Sequence, residues 1–316
     1  MTTLSAVTQT LEVIFAALVA PAFLGWVNQC RAWLQNRRPP SVLQPYWGLR
    51  KLFHKDAILA DGASPLFRIT PYVVFGTMIV AAAIIPSMGT RLPLSTAADG
   101  IALVGLLATA RVFVSLAAMD IGTAFGSLGA RREMMVGFLA EPALLMVLFV
   151  AAMISQTTSL PLIAESLSVG VHSLYPSLAF TGVAFTLVLL AENARIPVDN
   201  PATHLELTMI HEAMLLEYSA RHLALMEWAA ALKLFNYACI GFAMFVPWGA
   251  TREALGPLGL VLAVPVLAVK LVIAGAGIAL IETLSAKLRV FRAPEFLATA
   301  FLFAVLGLLV HLLLGT

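Results

Sequence analysis

The chain has 316 residues, 60% of them hydrophobic and 11% charged, with a mean hydropathy of +0.94 and a formal net charge of +2. Soluble domains run at about 45–50% apolar and ~25% charged, and a chain this apolar has too few polar side chains to cover a water-facing surface. Composition therefore excludes a soluble enzyme, a disordered chain and a nucleic-acid binder.

A membrane-crossing helix needs about 20 mostly apolar residues. Eight such runs occur, at 7–27, 69–88, 101–119, 138–156, 174–192, 227–248, 258–281 and 295–314. None alternates with period two, which predicts a helical bundle and not a barrel. The expected fold is all-α: one polytopic integral-membrane domain over residues 1–316 with about eight transmembrane helices. The first run carries Glu12, lacks a basic leader and shows no small-residue cleavage site, so it reads as a span and not a signal peptide. The side holding the 28–68 loop carries 14 of the 19 Lys and Arg residues, and the other side has only Arg91 and Arg252. The positive-inside rule makes the basic side cytoplasmic and puts both termini outside.

The loops follow in order. The 28–68 loop is basic, proline-bounded and aromatic; Tyr46 and Trp47 beside Arg50, Lys51 and Lys55 suit lipid head groups or a docked acidic subunit. The 120–137 segment, with Arg131, Arg132 and Glu133, reads as a second basic-side loop. Glu141 opens the fourth span. The 157–173 stretch could lie along the interface.

Between residues 192 and 227 the chain spends six of its 17 acids: Glu192, Asp199, Glu206, Glu212, Glu217 and Glu227. Asn200 and Pro201 suit the start of a helix there. Apolar residues interleave with the acids, which predicts a half-buried polar funnel. Lys233, Lys270 and Glu282 lie in or at the end of later spans. Ionisable groups inside membranes are costly and tend to mark ion or proton paths; for Arg111, Lys233 and Glu282 the competing reading is snorkelling to the interface.

Three motifs fail on inspection. HEAML at 211–215 lacks the second histidine of a zincin, His204, His211 and His222 are not at metal-ligand spacing, and GTAFGSLGARRE has no GK[ST] of a phosphate loop. The two cysteines, Cys30 and Cys239, stand far apart in sequence and argue against a disulfide framework or a cysteine-ligated cluster. No metal site is expected in this chain.

Three segments carry a family resemblance. LQPYWGLRKLFHK (43–55), GSLGARREMMVGFLAEP (126–142) and ENARIPVDNPATHLEL…EYS (192–219) resemble subunit 1 (the H subunit) of respiratory complex I. GARRE followed by AEP, and MIHEAMLLEYSARHLALMEW, resemble the branch formed by the membrane subunits of energy-converting nickel–iron hydrogenases and formate hydrogenlyases, of the hydrogenase-4 component C type.

The resemblance implies a membrane anchor and ion-coupling subunit of a multisubunit redox complex. Hydrogenase large and small (iron–sulfur) subunits would dock on the cytoplasmic face and hold the nickel–iron centre and iron–sulfur clusters. Antiporter-like membrane subunits would sit beside the chain. Docking would use Tyr46, Trp47, Arg50, Lys51, Lys55, Arg131, Arg132 and Glu133. Proton or sodium coupling would use Glu141, Glu192, Glu206, Glu212, Glu217, Lys233, Lys270 and Glu282, with Arg195, Asp199, His211 and Tyr218 as gating or pairing groups. The alternatives are a quinone-reducing complex I subunit and a passive anchor.

Overall fold

A computed structural model describes residues 3–60, 62–90, 93–94, 98–169, 176–199, 209–249, 257–286, 288 and 292–314. Among the described residues there are eleven α-helices and no strand: α1 (Thr3–Leu34), α2 (Gln44–Phe53), α3 (Pro65–Ile84), α4 (Gly100–Asp120), α5 (Ala124–Ser155), α6 (Leu160–Val169), α7 (Pro176–Glu192), α8 (His211–Leu215), α9 (Ala220–Phe245), α10 (Pro257–Leu284) and α11 (Ala293–Leu314).

Seven of them, α1, α3, α4, α5, α9, α10 and α11, are long and apolar enough to cross a membrane. The eighth predicted span is α7, whose 17 residues reach about 25 Å at ~1.5 Å per residue, enough for a thin crossing. The bundle is centred on α9. Of its most apolar stretch 67% is buried, against 28% for α10 and 22% for α11, so α9 is the axis and the last two helices form the rim. Around α9 pack α1, α2 and α3, while α11 lies against α7 and α5.

Two segments predicted as loops are helical. The 120–137 segment forms the first turns of α5, a helix of 32 residues capped by the Thr123 hydroxyl, which accepts from Gly126 N at 3.3 Å. The apolar run begins only at 138 because GSLGARRE is glycine-rich and charged, but a helix does not stop where the apolar layer stops. The 28–68 loop contains α2. Leu49 turns inward and Phe53 meets Trp228 edge-on at 6.3 Å, while Trp47, Arg50 and Lys51 face outward. α1 lets this segment approach at Gly25, where a β-carbon would collide with the Val42 carbonyl. Within the 157–173 stretch, α6 turns Leu160, Ile163 and Ala164 inward and leaves Leu162 exposed. The helix start predicted at Asn200–Pro201 and the acid Glu206 lie outside the described residues.

The end of the bundle that carries the 35–64 connection is called the basic end below, and the end that carries the 85–99 connection the far end.

Candidate functional site

The centre of the molecule is an arginine. Arg111 lies midway along α4, a helix whose other inward residues are Leu103, Leu107, Val114 and several alanines. A lone guanidinium there would be prohibitively desolvated, so the fold surrounds it with acids. Its Nη1 donates to Glu141 Oε1 at 2.7 Å, its Nε lies 3.4 Å from Glu133 Oε1, and its Nη2 donates to Glu192 Oε1 in a very short contact. Lys233 Nζ on α9 pairs with Glu192 Oε2 at 3.0 Å. Four helices, α4, α5, α7 and α9, thus meet through one ionic cluster.

Burial is steep across it. Glu192 and Arg111 side chains are 1% and 6% exposed, whereas Glu141 is 33% exposed. Glu133 and Glu141 are eight residues apart on α5 and Gly137 lies between them, so the three fall on one helical face. Glycine at 137 is required: a β-carbon would overlap the Arg111 guanidinium. Gly137→Ala is therefore expected to push Arg111 off its carboxylates and to destabilise the chain by about 1–3 kcal/mol. A thermal melt of the purified assembly compared with Gly76→Ala, where a β-carbon meets open space, checks this.

A cavity of about 110 Å³ lies beside the cluster, lined by Arg111, Glu133, Glu192, Arg195, His211 and Lys233 among others. It is polar on that wall and roomy enough for several water molecules. A second cavity of about 810 Å³ opens at the basic end between α1, α2, α8 and α9, with Arg37, Arg38, Lys51, Glu212 and Glu227 on its walls. His211 lines both cavities.

The segment that places His211 is pinned. Asp199 is buried, and its Oδ2 accepts from His211 N at 3.0 Å and Ile210 N at 3.2 Å, satisfying the start of α8. Arg132 Nη1 donates to the Met209 carbonyl at 2.9 Å. Tyr218 stacks on Phe67 at 4.0 Å and donates its hydroxyl to the Phe67 carbonyl at 3.2 Å. Burial pushes its hydroxyl well above the usual phenol range, so it remains a donor at any physiological pH.

Glu282 belongs to a separate group at the basic end. Its fully buried carboxylate lies 3.2 Å from Arg195 and 3.5 Å from Arg31, tying the ends of α1, α7 and α10. Lys270 points the other way. Its Nζ donates to the Val246 carbonyl at 2.6 Å, at the far end of α9, where a cation suits the helix C-terminus. Glu212 and Glu217 are exposed at the basic end. On α2, Tyr46 is held by the Leu18 carbonyl, and Trp47, Arg50 and Lys51 are exposed, as are Lys55 just after the helix and Arg131. Glu133 differs from its expected docking place: only 13% of its side chain is exposed and it faces Arg111.

The structure thus joins Glu192, Glu141 and Lys233 and adds two residues the sequence reading did not place there, Arg111 and Glu133. The 133–137–141 stripe was the available signal, had the helical period been carried back through the charged segment.

These features define a polytopic helical membrane protein whose spans converge on a buried multi-carboxylate ion pair. The chain belongs to the NADH dehydrogenase family, whose profile matches residues 8–313. It is 35% identical over 295 residues to formate hydrogenlyase subunit 4 of Escherichia coli (strain K12), covering 93% of this chain and 94% of that protein. It is 34% identical over 243 residues to hydrogenase-4 component C of the same organism, covering 77% and 76%. Its fold is similar, at a TM-score of 0.82 and 20% identity, to a chain from the membrane-bound sulfane sulfur reductase, an archaeal respiratory membrane complex, over 96% of this chain and 98% of that one.

Proposed function

We propose that the chain is the membrane anchor and ion-coupling subunit of a multisubunit redox complex of the nickel–iron hydrogenase or formate hydrogenlyase kind. The similarity over 93% of its length to formate hydrogenlyase subunit 4 supports the assembly, and the Arg111 cluster carries the coupling role. An anchor needs only apolar spans. Two cations facing three carboxyls inside the helix bundle, beside a hydratable cavity, are a costly arrangement that simple anchoring does not require.

The basic end faces the cytoplasm by the positive-inside rule. Hydrogenase large and small subunits dock there on exposed Trp47, Arg50, Lys51 and Arg131, and antiporter-like subunits lie alongside in the membrane. The nickel–iron centre and iron–sulfur clusters belong to those partners. This chain's own donors do not fit them: Cys30 and Cys239 are each buried and unpaired, and among the described residues no group of three His, Cys, Asp or Glu side chains is arranged to hold a metal ion.

The charge count supplies the coupling chemistry. With Arg111 and Lys233 positive, local neutrality is reached when one of Glu133, Glu141 and Glu192 holds a proton. A charge at ~4 Å is worth up to ~4 kcal/mol at an effective dielectric near 20, so a small displacement of one partner moves that proton. His211 lies where the two cavities meet and is placed to transmit a movement of the docked arm. The test is ion flux: the complex in sealed vesicles should move protons or sodium during redox turnover, and the signal should vanish with an ionophore. Turnover without any flux would leave only an anchor.

A further inference from the structure

The far half of the membrane domain holds a buried acid of its own. Glu12, on α1, is 2% exposed. Residues 85–90 after α3 fold back over it, with Ile85 and Met88 fully buried. Gln9, one turn earlier, holds both the end of α3 and Leu94: its Nε2 donates to the Ala83 carbonyl at 2.8 Å and its Oε1 accepts from Leu94 N at 3.1 Å.

The hydrogen bonds of Glu12 are lopsided. Ser87 Oγ donates to Oε1 at 2.5 Å and Met88 N donates to the same oxygen at 2.8 Å. Oε2 is buried with no hydrogen-bond partner. An ionised carboxylate would leave half its charge on that bare oxygen in an apolar setting. A neutral carboxyl fits the geometry, with Oε1 as acceptor and the proton on Oε2.

Among the described residues no cation pairs with Glu12. On α9, which packs against α1, the Cys239 thiol is fully buried. On α10, Lys270 has its ammonium engaged by the Val246 carbonyl. The α3 side offers the Ala83 carbonyl, and the hydrogen bond from α2 to α1 falls at Leu18.

A polar thread leads from this site to the Arg111 cluster. Lys233, Asn236 and Cys239 follow at three-residue steps on α9, each rising about 4.5 Å toward the far end. Asn236 is 1% exposed, donates to the Met78 carbonyl at 3.0 Å and leaves its Oδ1 buried without a partner. Orphaned acceptors of this kind are rare in packed interiors and call for an occupant.

We propose that Glu12 is the far-half proton site of this chain: a carboxyl carrying its proton on Oε2, exchanging it with the far side of the membrane and, along α9, with the Arg111 cluster. The inference rests on the ion-coupling reading above and adds a route to the far side within this chain.

The test uses the whole complex in membrane vesicles. Dicyclohexylcarbodiimide, which adds to protonated carboxyls in apolar surroundings, should leave a mass-spectrometric adduct on Glu12. Glu12→Gln keeps an Oε1 acceptor for Ser87 and Met88, so assembly and redox turnover should persist, while ions moved per electron should fall at least tenfold. An unmodified Glu12, or a Glu12→Gln complex that translocates like wild type, would overturn the proposal and leave Glu12 as a structural anchor for Ser87 and Met88. Absence of flux in the wild-type complex would instead defeat the ion-coupling reading itself, and this inference with it.

Discussion

Replacing Arg111 with methionine is expected to produce the largest loss of stability of any single change in the chain. The substitution keeps much of the side-chain volume but removes the one group bound to Glu133, Glu141 and Glu192. Glu192, 1% exposed in its side chain, would retain only Lys233. Breaking a buried pair by deleting one partner costs about 3–5 kcal/mol, because the surviving charge is left without compensation. Arg111→Lys should recover only part of that loss: a compact ammonium cannot reach three carboxyls on two other helices with the fork a guanidinium provides. The double change Arg111→Met with Glu192→Gln should be less destabilising than Arg111→Met alone, since it removes the orphaned charge along with its partner. Thermal melting of the three purified assemblies measures this ordering, and equal stability of Arg111→Met and wild type would mean the cluster does not hold the helices together.

The second prediction concerns energy coupling. Glu192 is the most enclosed of the three carboxylates around Arg111 and the one of them that contacts both Arg111 and Lys233. Glutamine at 192 has nearly the same shape and can still accept from Arg111, so the packing of α7 against α4 and α9 should survive. What it cannot do is gain or lose a proton. The expected outcome is an assembled complex whose redox turnover continues with ion translocation abolished. Glu141→Gln, at the more exposed edge of the cluster, should have a smaller effect of the same kind.

Much of this was legible in the residues. Eight apolar runs predicted the helices, and Glu141, Glu192 and Lys233 stood out as charges that lipid would not tolerate without a purpose. Arg111 was harder to read, because one arginine within a span is as compatible with snorkelling as with a buried hub; only the arrangement of four helices decides between them. Glu133 was assigned to a docking loop for a related reason. The charged start of α5 hides its helical continuity from any apolar window, while the 3.6-residue period sets Glu133, Gly137 and Glu141 on one face. Lys270 and Glu282 look equivalent in sequence, both ionisable and both in the seventh run. Their partners separate them: a far-end carbonyl for one, two basic-end arginines for the other. Glu12 gave no signal beyond being an acid in the first span. Its setting depends on a turn after α3 folding back across α1, a contact about 75 residues apart in sequence that no local pattern encodes.

The most direct measurement is the number of ions moved per electron by the Glu192→Gln complex in sealed vesicles, read beside its redox turnover. Turnover close to wild type with no gradient is the result expected if the carboxyls around Arg111 carry the coupled ion. A gradient of wild-type size at the same turnover would contradict it, and would leave the cluster as scaffolding.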